Sequence, residues 1–340
     1  MQDKILDCEN WYRDNKGLYE ACGETVKRLI ETVLEEKKIP YHSIQFRVKE
    51  EGSFLTKCQN KKYEDPISQI TDICGLRIIT YTNHDVDKIK SVIEQEFNID
   101  EANSVDKIKQ MKEDQVGYLS AHYVATINQE REGLTEYHRY KDLKFEIQIR
   151  TLLQHAWAEI EHDRSYKFSG ELPREIKRRF YLVAGTLELL DREFDCLSDE
   201  IDTYANEVRE ETERGNLDVP INSMSLLEYL SIRLKDYRVD IKSFNGFDKA
   251  IVYELQQFGV ETLRDLDKII SDKILGGLEW RENCNYLGVL RHIMMVADAK
   301  KYFETVWQHD WDCMADRDFE SIKELNPNIE NYRDQITVVP

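Results

Sequence analysis

The 340-residue sequence lacks the features of membrane and secreted proteins. No apolar run approaches the roughly 20 residues that a membrane-spanning helix needs, so we expect no transmembrane helix. The N-terminal residues show no basic segment followed by an apolar one, so we expect no secretory signal. Both absences favour a cytoplasmic location without a membrane partner.

A regular cysteine pattern is also missing. The seven cysteines include no Cys-x-x-Cys pair, and their number is odd. Disulfide frameworks and structural zinc sites both need closely and regularly spaced cysteines. The pattern is therefore typical of reduced cytosolic thiols.

Positive charge is scarce, because 47 Lys and Arg stand against 66 Asp and Glu, a formal net charge of −19. The deficit is spread along the chain: 15 basic residues face 22 acidic ones after residue 215, and 32 face 44 before it. A surface that follows nucleic-acid phosphates needs a local excess of Lys and Arg. The composition therefore argues against a general nucleic-acid coat, but it allows a small basic pocket inside an acidic surface.

The length indicates two domains, and 41% hydrophobic residues are enough for packed cores. Strand-like runs lie at 43–48, 73–81, 120–127 and 143–150. Helical patterns lie between or before them at 9–38, 52–62 and 84–97, while 98–116 and 128–142 have the composition of loops or edge hairpins. This order predicts an α+β fold, with a mixed β-sheet flanked by helices.

Residues 173–214 have the clearest periodicity, because apolar side chains recur there at alternating intervals of four and three residues. Pro173 suits a first helical turn and Gly215 suits a helix end. The apolar face of this helix either packs on the first domain's own helices or forms a coiled-coil-like seam with another chain. A boundary near 215–222 then separates domain 1–215 from a mainly helical domain, 220–340.

The first polar cluster in the predicted first domain joins a strand end to a helix start. It consists of Arg47, Lys49, Ser53 and Lys57, with Gly52 at the turn. Cations and the free N–H groups of a helix start together make an anion site, so phosphates would bind there. The alternative is an ordinary solvated basic surface.

A second cluster contains Asp72 and Arg77 at a predicted buried strand. A buried carboxylate needs a partner, and a divalent metal bound to phosphate is one such partner. A guanidinium inside an apolar strand pairs with an acid or stacks on a flat ring. The alternative is a structural Asp–Arg pair.

Two further clusters lie on the last predicted strands: Tyr118 with Ser120 and His122, and Glu146 with Gln148 and Arg150. Alternation places Ser120 and His122 on one face of their strand, and Glu146, Gln148 and Arg150 on one face of the next. A carboxylate in such a position suits a metal ligand or a general base. In this order, the four clusters predict one site for two phosphorylated ligands and a metal.

The clusters, with the segments DICGLR, GYLSAH and EIQIRT, resemble the synthetase domain of the RelA/SpoT family over about residues 20–170. The resemblance implies a nucleotidyltransferase-like sheet. It also implies an ATP-dependent pyrophosphokinase of the stringent response that uses Mg²⁺. Such enzymes transfer pyrophosphate to a ribose 3′-hydroxyl, usually of GDP or GTP, to make (p)ppGpp.

The resemblance implies roles on the ATP side of the site. Arg47 and Arg77 would enclose the adenine. Asp72 would bind Mg²⁺. The phosphates would be held by Lys49, Ser53 and Lys57.

It implies roles on the acceptor side as well. Tyr118 would stack on the acceptor base, with His122 near the acceptor phosphates. Glu146 would either help to bind the metal or deprotonate the 3′-hydroxyl. Gln148 would support the acceptor.

The resemblance leaves the acceptor and the role of the C-terminal domain open. Some similar proteins are toxins that pyrophosphorylate the tRNA 3′ end, and CapRel-type phage-defence proteins fuse such a toxin to an antitoxin domain. The two-part layout fits that pattern, with 220–340 as the restraining domain or the binding site of a protein trigger. The basic residues that would serve tRNA also suit a solvated first helical turn; they are Lys167, Arg174, Lys177, Arg178 and Arg179.

Two other expectations concern activity and assembly. Only about 40 residues precede Arg47, so we expect no hydrolase domain of the kind found in long family members. A catalytically inactive nucleotide sensor is a second alternative to the enzyme. A homo-oligomer is compatible with the long amphipathic helix.

Overall fold

The computed structural model describes residues 2–60, 63–106, 120–167, 173–237, 239–240, 248–270, 272–277, 284–307 and 313–339. The chain divides into two compact units, Met1–Ser198 and Asp199–Pro340. The division falls inside a long helix, whereas the sequence predicts a boundary near 215–222, after that helix ends. Across the described residues, no helix is both long enough and apolar enough to cross a membrane.

The first unit is built on a six-stranded sheet. Its strands are β1 (Ser43–Val48), β2 (Cys74–Thr80), β3 (Phe97–Ile99), β4 (Val105–Asp106), β5 (Ala121–Ile127) and β6 (Phe145–Thr151). Its helices are α1 (Gln2–Glu36), α2 (Glu51–Cys58), α3 (Pro66–Gln69), α4 (Asn83–Glu96), α5 (Gln129–Glu132), α6 (Leu152–Lys167) and the beginning of α7 (Arg174–Glu213). A short 3₁₀ helix spans His138–Tyr140.

The strand order is β1-β2-β6-β5-β3, and β4 pairs with β5. The β2 and β6 strands are parallel, while the other pairs are antiparallel. The predicted mixed sheet and its four main strands are therefore confirmed. The part of 98–116 that is described forms the edge strands, 107–119 lie outside the described residues, and 128–142 contain α5 and the 3₁₀ turn.

Helix α1 lies against β1 and β2 at a point where only glycine fits. A Cβ atom on Gly23 would lie 2.4 Å from the ring of Phe46 and 3.0 Å from the Cys74 sulfur. The helix is longer than the predicted 9–38 at its start and ends at Glu36. Lys38 adopts φ +55° there, and the Ile39 N–H donates to the Leu34 carbonyl at 2.9 Å. This left-handed cap ends the helix.

Helix α7 contacts the first unit through two carboxylates and through Phe180, whose ring packs edge to face on Trp157 of α6 with centroids 6.0 Å apart. The Asp191 carboxylate accepts a hydrogen bond from Thr151 at 2.7 Å, and Asp195 accepts from the backbone N–H of Asn83 at 2.8 Å. The helix ends as predicted, at Gly215 with φ +78°. Six residues of its apolar stripe remain exposed; we call these the exposed seam, and they are Ile176, Val183, Leu190, Phe194, Leu197 and Ile201. The interpretation that this face packs on the first unit's own helices therefore applies to Phe180, whereas these six residues stay at least 42% exposed.

The second unit is mainly helical, as predicted. Its helices are α8 (Ser223–Arg233), α9 (Asp248–Gln257), α10 (Leu263–Ile269), α11 (Asp272–Gly277), α12 (Tyr286–Lys301) and α13 (Asp316–Leu325). A π turn at Tyr302–Val306 and a 3₁₀ helix at Pro327–Gln335 follow α12 and α13. Two parallel strand pairs join β7 (Val239–Asp240) to β8 (Cys284–Asn285) and β9 (Cys313–Ala315) to β10 (Thr337–Val339). The core of this unit surrounds α12, where Leu290, Ile293 and Met294 are fully buried.

Candidate functional site

A cavity of about 310 Å³ lies over β1, β2 and β6 in the first unit. Its polar lining comprises Gln45, Arg47, Lys49, Glu50, Ser53, Asp72, Arg77, Glu146 and Gln148. Two other predicted residues, Lys57 and His122, contact this lining through Asp72 and Glu146. Tyr118 lies outside the described residues. The structure therefore brings nine predicted site residues to one place.

Strand register explains why residues so far apart in sequence share one face. Gln45, Arg77, Gln148 and His122 are successive partners across β1, β2, β6 and β5. Directly paired residues point to the same side of a sheet, so their polar side chains form one row. The alternate residues of β6, Ile147 and Ile149, are fully buried on the other side.

The next row contains Arg47, Gly75 and Glu146. A Cβ atom on Gly75 would meet nothing within 4 Å, so the space between Arg47 and Glu146 is open. Glycine thus leaves room in the middle of the cavity floor for a ligand.

Helix α2 forms one wall, and a buried ring fixes its position. Phe54 is fully buried and stacks on Tyr12 of α1 with ring centroids 5.1 Å apart. Ser53 and Lys57 are one turn apart, so they share a helix face beside the buried one. The helix begins at Glu51, so Gly52 lies within its first turn and not in the preceding turn as predicted.

Asp72 is held by two lysines. Its Oδ2 lies 2.5 Å from Lys57 Nζ and 3.0 Å from Lys49 Nζ. Burial alone would raise the pKa of Asp72, but the hydrogen bonds from Lys57 and Lys49 outweigh it and hold the pKa below its usual value. The carboxylate is therefore ionised at neutral pH. Its other oxygen, Oδ1, is buried and has no hydrogen-bond partner.

Glu146 is also held on both oxygens. Oε1 lies 2.8 Å from His122 Nδ1, and Oε2 accepts from Gln148 Nε2 at 3.0 Å. Burial alone would raise the pKa of Glu146. The hydrogen bonds from His122 and Gln148 lower it by more than burial raises it, so the pKa lies below its usual value. The Ser120 hydroxyl lies 2.6 Å from His122 Nε2 and extends this row of hydrogen bonds.

Of two further residues near Arg77, Arg150 belongs to the polar cluster on the last predicted strand, whereas Glu159 was not predicted from the sequence. Arg77 Nη1 donates to Glu159 of α6 at 2.8 Å. Burial, followed by repulsion from Arg77, lowers the pKa of Arg150 to about 10, and Glu159 opposes that shift. Glu159 thus neutralises part of a cationic pair. No sequence signal links Glu159 to Arg77, because 82 positions separate them.

The donor set fits Mg²⁺ on one structural ground. The orphaned Asp72 Oδ1 is a buried carboxylate oxygen, and the charge of Asp72 is close enough to Glu146 to raise the pKa of Glu146. Protein Mg²⁺ sites commonly use one or two carboxylates together with substrate phosphates. Within the described ranges, no three His, Cys, Asp or Glu side chains form a complete metal cage. Asp72 and Glu146 would therefore hold the ion only together with a phosphorylated ligand.

Known proteins share the segment that builds this cavity. A family profile described as "Region found in RelA / SpoT proteins" matches residues 46–171. GTP pyrophosphokinase YjbM of Bacillus subtilis is 31% identical over 204 residues, which cover 58% of this chain and 92% of that protein. GTP pyrophosphokinase YwaC of the same organism is 28% identical over 167 residues, covering 48% of this chain and 76% of that protein.

One of the similar solved structures covers more than half of the chain. The crystal structure of small alarmone synthetase 1 from Bacillus subtilis is 30% identical, with a TM-score of 0.48. The match covers 57% of this chain and 99% of that structure.

Proposed function

The chain belongs to the RelA/SpoT family, and we propose that it transfers the β,γ-pyrophosphate of ATP to the ribose 3′-hydroxyl of GDP or GTP. The two curated relatives are GTP pyrophosphokinases, which supports this type of transfer. The observation that carries the proposal is one cavity with two restrained carboxylates, Asp72 between lysines and Glu146 beside His122 and Gln148.

The ATP side of the proposed site uses β1, α2 and β2. Lys49 and Lys57 already surround a carboxylate oxygen, so they are positioned to bind phosphate oxygens in the same region. Ser53 lies in the first turn of α2, whose N-cap residue Glu50 makes no side-chain cap. The N–H groups of that turn add to the positive field. Arg47 and Arg77 supply flat guanidinium groups for the adenine.

The acceptor side uses β5 and β6. The acceptor 3′-oxygen would form a bond to the β-phosphorus of ATP. The bond between that phosphorus and the α,β-bridging oxygen would break, and AMP would leave with that oxygen. Glu146 is an ionised carboxylate, and we assign to it the 3′-hydroxyl proton. His122 and Gln148 hold its two oxygens in place. Tyr118 is proposed to stack on the acceptor base.

We further propose that Mg²⁺ binds to Asp72 and Glu146 together with the ATP phosphates. A bound ion would neutralise charge on the phosphoryl oxygens. The chain's own contribution is to position the two nucleotides, since alignment of the reacting groups lowers the barrier substantially.

An acceptor assay tests this proposal. Purified chain with γ-labelled ATP and Mg²⁺ would be offered GDP, GTP, ADP and deacylated tRNA in separate reactions. We expect label in the guanine nucleotides and AMP in equal amount. GDP that lacks the 3′-hydroxyl should accept no label, whereas GDP that lacks only the 2′-hydroxyl should.

The other outcomes of this assay are equally specific. Label that enters only tRNA would favour the toxin-type reaction, in which exposed Arg174, Arg178 and Arg179 are candidates for contacts to phosphate. Binding of ATP without transfer to any acceptor would favour the inactive sensor. Either result would refute the guanine-nucleotide proposal.

We expect Glu159→Gln to raise the KM for ATP, because Arg77 then loses the ion pair that holds its guanidinium in place. The pair is partly exposed, with Glu159 at 56%, so its contribution is small. The KM for ATP should rise about 3- to 5-fold with little change in kcat, consistent with a loss of up to about 1 kcal/mol. Steady-state kinetics measure both constants. Glu161→Gln removes an exposed charge from the same helix and serves as the control; an equal effect in both variants would contradict the positioning role of Glu159.

A further inference from the structure

Lys49 lies in the short connection between a strand and a helix of the site. Strand β1 ends at Val48 and α2 begins at Glu51, so Lys49 and Glu50 belong to neither element. Glu50 is the N-cap residue of α2 and makes no side-chain cap there. Connecting segments are more mobile than the elements they join, so the position of Lys49 depends on contacts from elsewhere in the fold.

Two hydrogen bonds from other elements fix the backbone at Lys49. Its N–H donates to the carbonyl of Ile73, the residue before β2, at 2.8 Å. Its carbonyl accepts a hydrogen bond from the hydroxyl of Tyr12 in α1. Burial, followed by the negative charge of Glu50, raises the pKa of Tyr12, so the hydroxyl keeps the proton that it donates.

The ring of Tyr12 contacts the second segment that carries predicted phosphate ligands. Tyr12 is 2% exposed, and its ring stacks on Phe54 with centroids 5.1 Å apart and an interplanar angle of 27°. Phe54 follows Ser53 directly in α2 and precedes Lys57 by three residues. One buried side chain therefore contacts both segments, Lys49 through its hydroxyl and α2 through its ring.

We propose that Tyr12 is a positioning residue of the ATP site, and that its hydroxyl holds Lys49 where the lysine side chain meets the phosphates. This inference rests on the proposed function, because it takes Lys49 as a phosphate ligand. The lysine side chains of β1 and α2 converge on one oxygen, Asp72 Oδ2, at 3.0 Å from Lys49 and 2.5 Å from Lys57. Tyr12 lies outside the segment 46–171 that the family profile matches.

Tyr12→Phe tests the role of the hydroxyl, since it keeps the ring against Phe54 and removes only the hydrogen bond to Lys49. We expect the KM for ATP to rise about 3- to 10-fold, because the Lys49 carbonyl loses its donor and the connection shifts. The KM for the acceptor and kcat should stay within about twofold, because the acceptor side keeps all its contacts. A general loosening of the fold would instead change the KM of both substrates.

Tyr19→Phe is the matched control. Tyr19 is another buried tyrosine of α1, 6% exposed and about two turns further along the helix. Its substitution also removes one hydroxyl from the core, but not the one that contacts Lys49. We expect the KM for ATP to stay within about twofold in this variant. An equal rise in both variants would overturn the positioning role of Tyr12.

A double-mutant cycle tests whether Tyr12 acts through Lys49. Affinity for the non-hydrolysable α,β-methylene analogue of ATP is measured by calorimetry, which does not depend on the identity of the acceptor. Tyr12→Phe should weaken binding about 3- to 10-fold in the natural chain, but less than about twofold in a chain that already carries Lys49→Met. Equal effects in the two backgrounds would overturn the route through Lys49.

The same titrations separate this inference from the proposed function. A natural chain that binds the analogue, with unchanged affinity in Tyr12→Phe, would overturn the role of Tyr12 alone. A natural chain that binds no analogue would overturn the ATP site and the role of Tyr12 together.

Discussion

Glu146→Gln is expected to lower kcat for pyrophosphate transfer at least about 10³-fold, which corresponds to about 4 kcal/mol of barrier. Glutamine keeps the size of the side chain but cannot take up the proton of the 3′-hydroxyl. It also lacks the charge that His122 and Gln148 now stabilise. Rapid-quench measurement of labelled product with saturating ATP and GDP determines the change.

The control for this substitution is another acid of the same cavity. Glu50 also lines the cavity, but its side chain makes no cap to α2, so Glu50→Gln removes one negative charge without removing the proposed base. We expect Glu50→Gln to keep kcat within about tenfold of the natural chain. This loss is smaller than the roughly 10²-fold or more that removal of a general base causes. ATP affinity, measured by calorimetry with a chelator and without Mg²⁺, should change little in Glu146→Gln. Transfer by Glu146→Gln at a rate near that of the natural chain would refute the base assignment.

Asp72→Asn is expected to separate ATP binding from transfer. The substitution removes the charge that pairs with Lys49 and Lys57 and weakens the only carboxylate oxygen in the described cavity lining that is buried and without a partner. We expect transfer to fall at least about 10²-fold and to need more Mg²⁺. Without Mg²⁺, ATP should bind equally well or more tightly, because the two lysines are then free of their acid.

Two measurements check this expectation. Transfer is followed over a Mg²⁺ titration, and ATP binding is followed separately by calorimetry in the presence of a chelator. Asp87→Asn serves as the matched control, since Asp87 is an exposed acid of α4 whose side chain is 73% accessible. An unchanged Mg²⁺ requirement together with full transfer would remove Asp72 from the proposed metal site.

The sequence predicts the polar rows of the sheet because strand periodicity is local. Alternation alone puts Glu146 and Gln148 on the face opposite to Ile147 and Ile149, and the structure agrees. The order of the motif clusters also predicts that four strands meet at one site. The order of the clusters does not tell which residue of β1 lies beside which residue of β2. The strand pairing in the structure gives that register.

The sequence does not predict which residues form ion pairs in the site. The predicted phosphate lysines and the predicted metal ligand Asp72 contact one another directly, and Arg77 finds its acid in α6. Which of the 66 Asp and Glu residues pairs with Arg77 depends on where the helices lie in the fold. That placement follows from buried contacts such as Phe54 against Tyr12.

The sequence by itself determined the family, the strand faces and the long heptad helix, because each depends on residue type and spacing along the chain. Only the tertiary structure decided which face of that helix is used within the first unit. Asp191 and Asp195 accept hydrogen bonds from Thr151 and Asn83, and of the apolar stripe Phe180 packs on Trp157. A helical period shows that an apolar face exists, but the face's partner depends on which surfaces the rest of the fold presents to it.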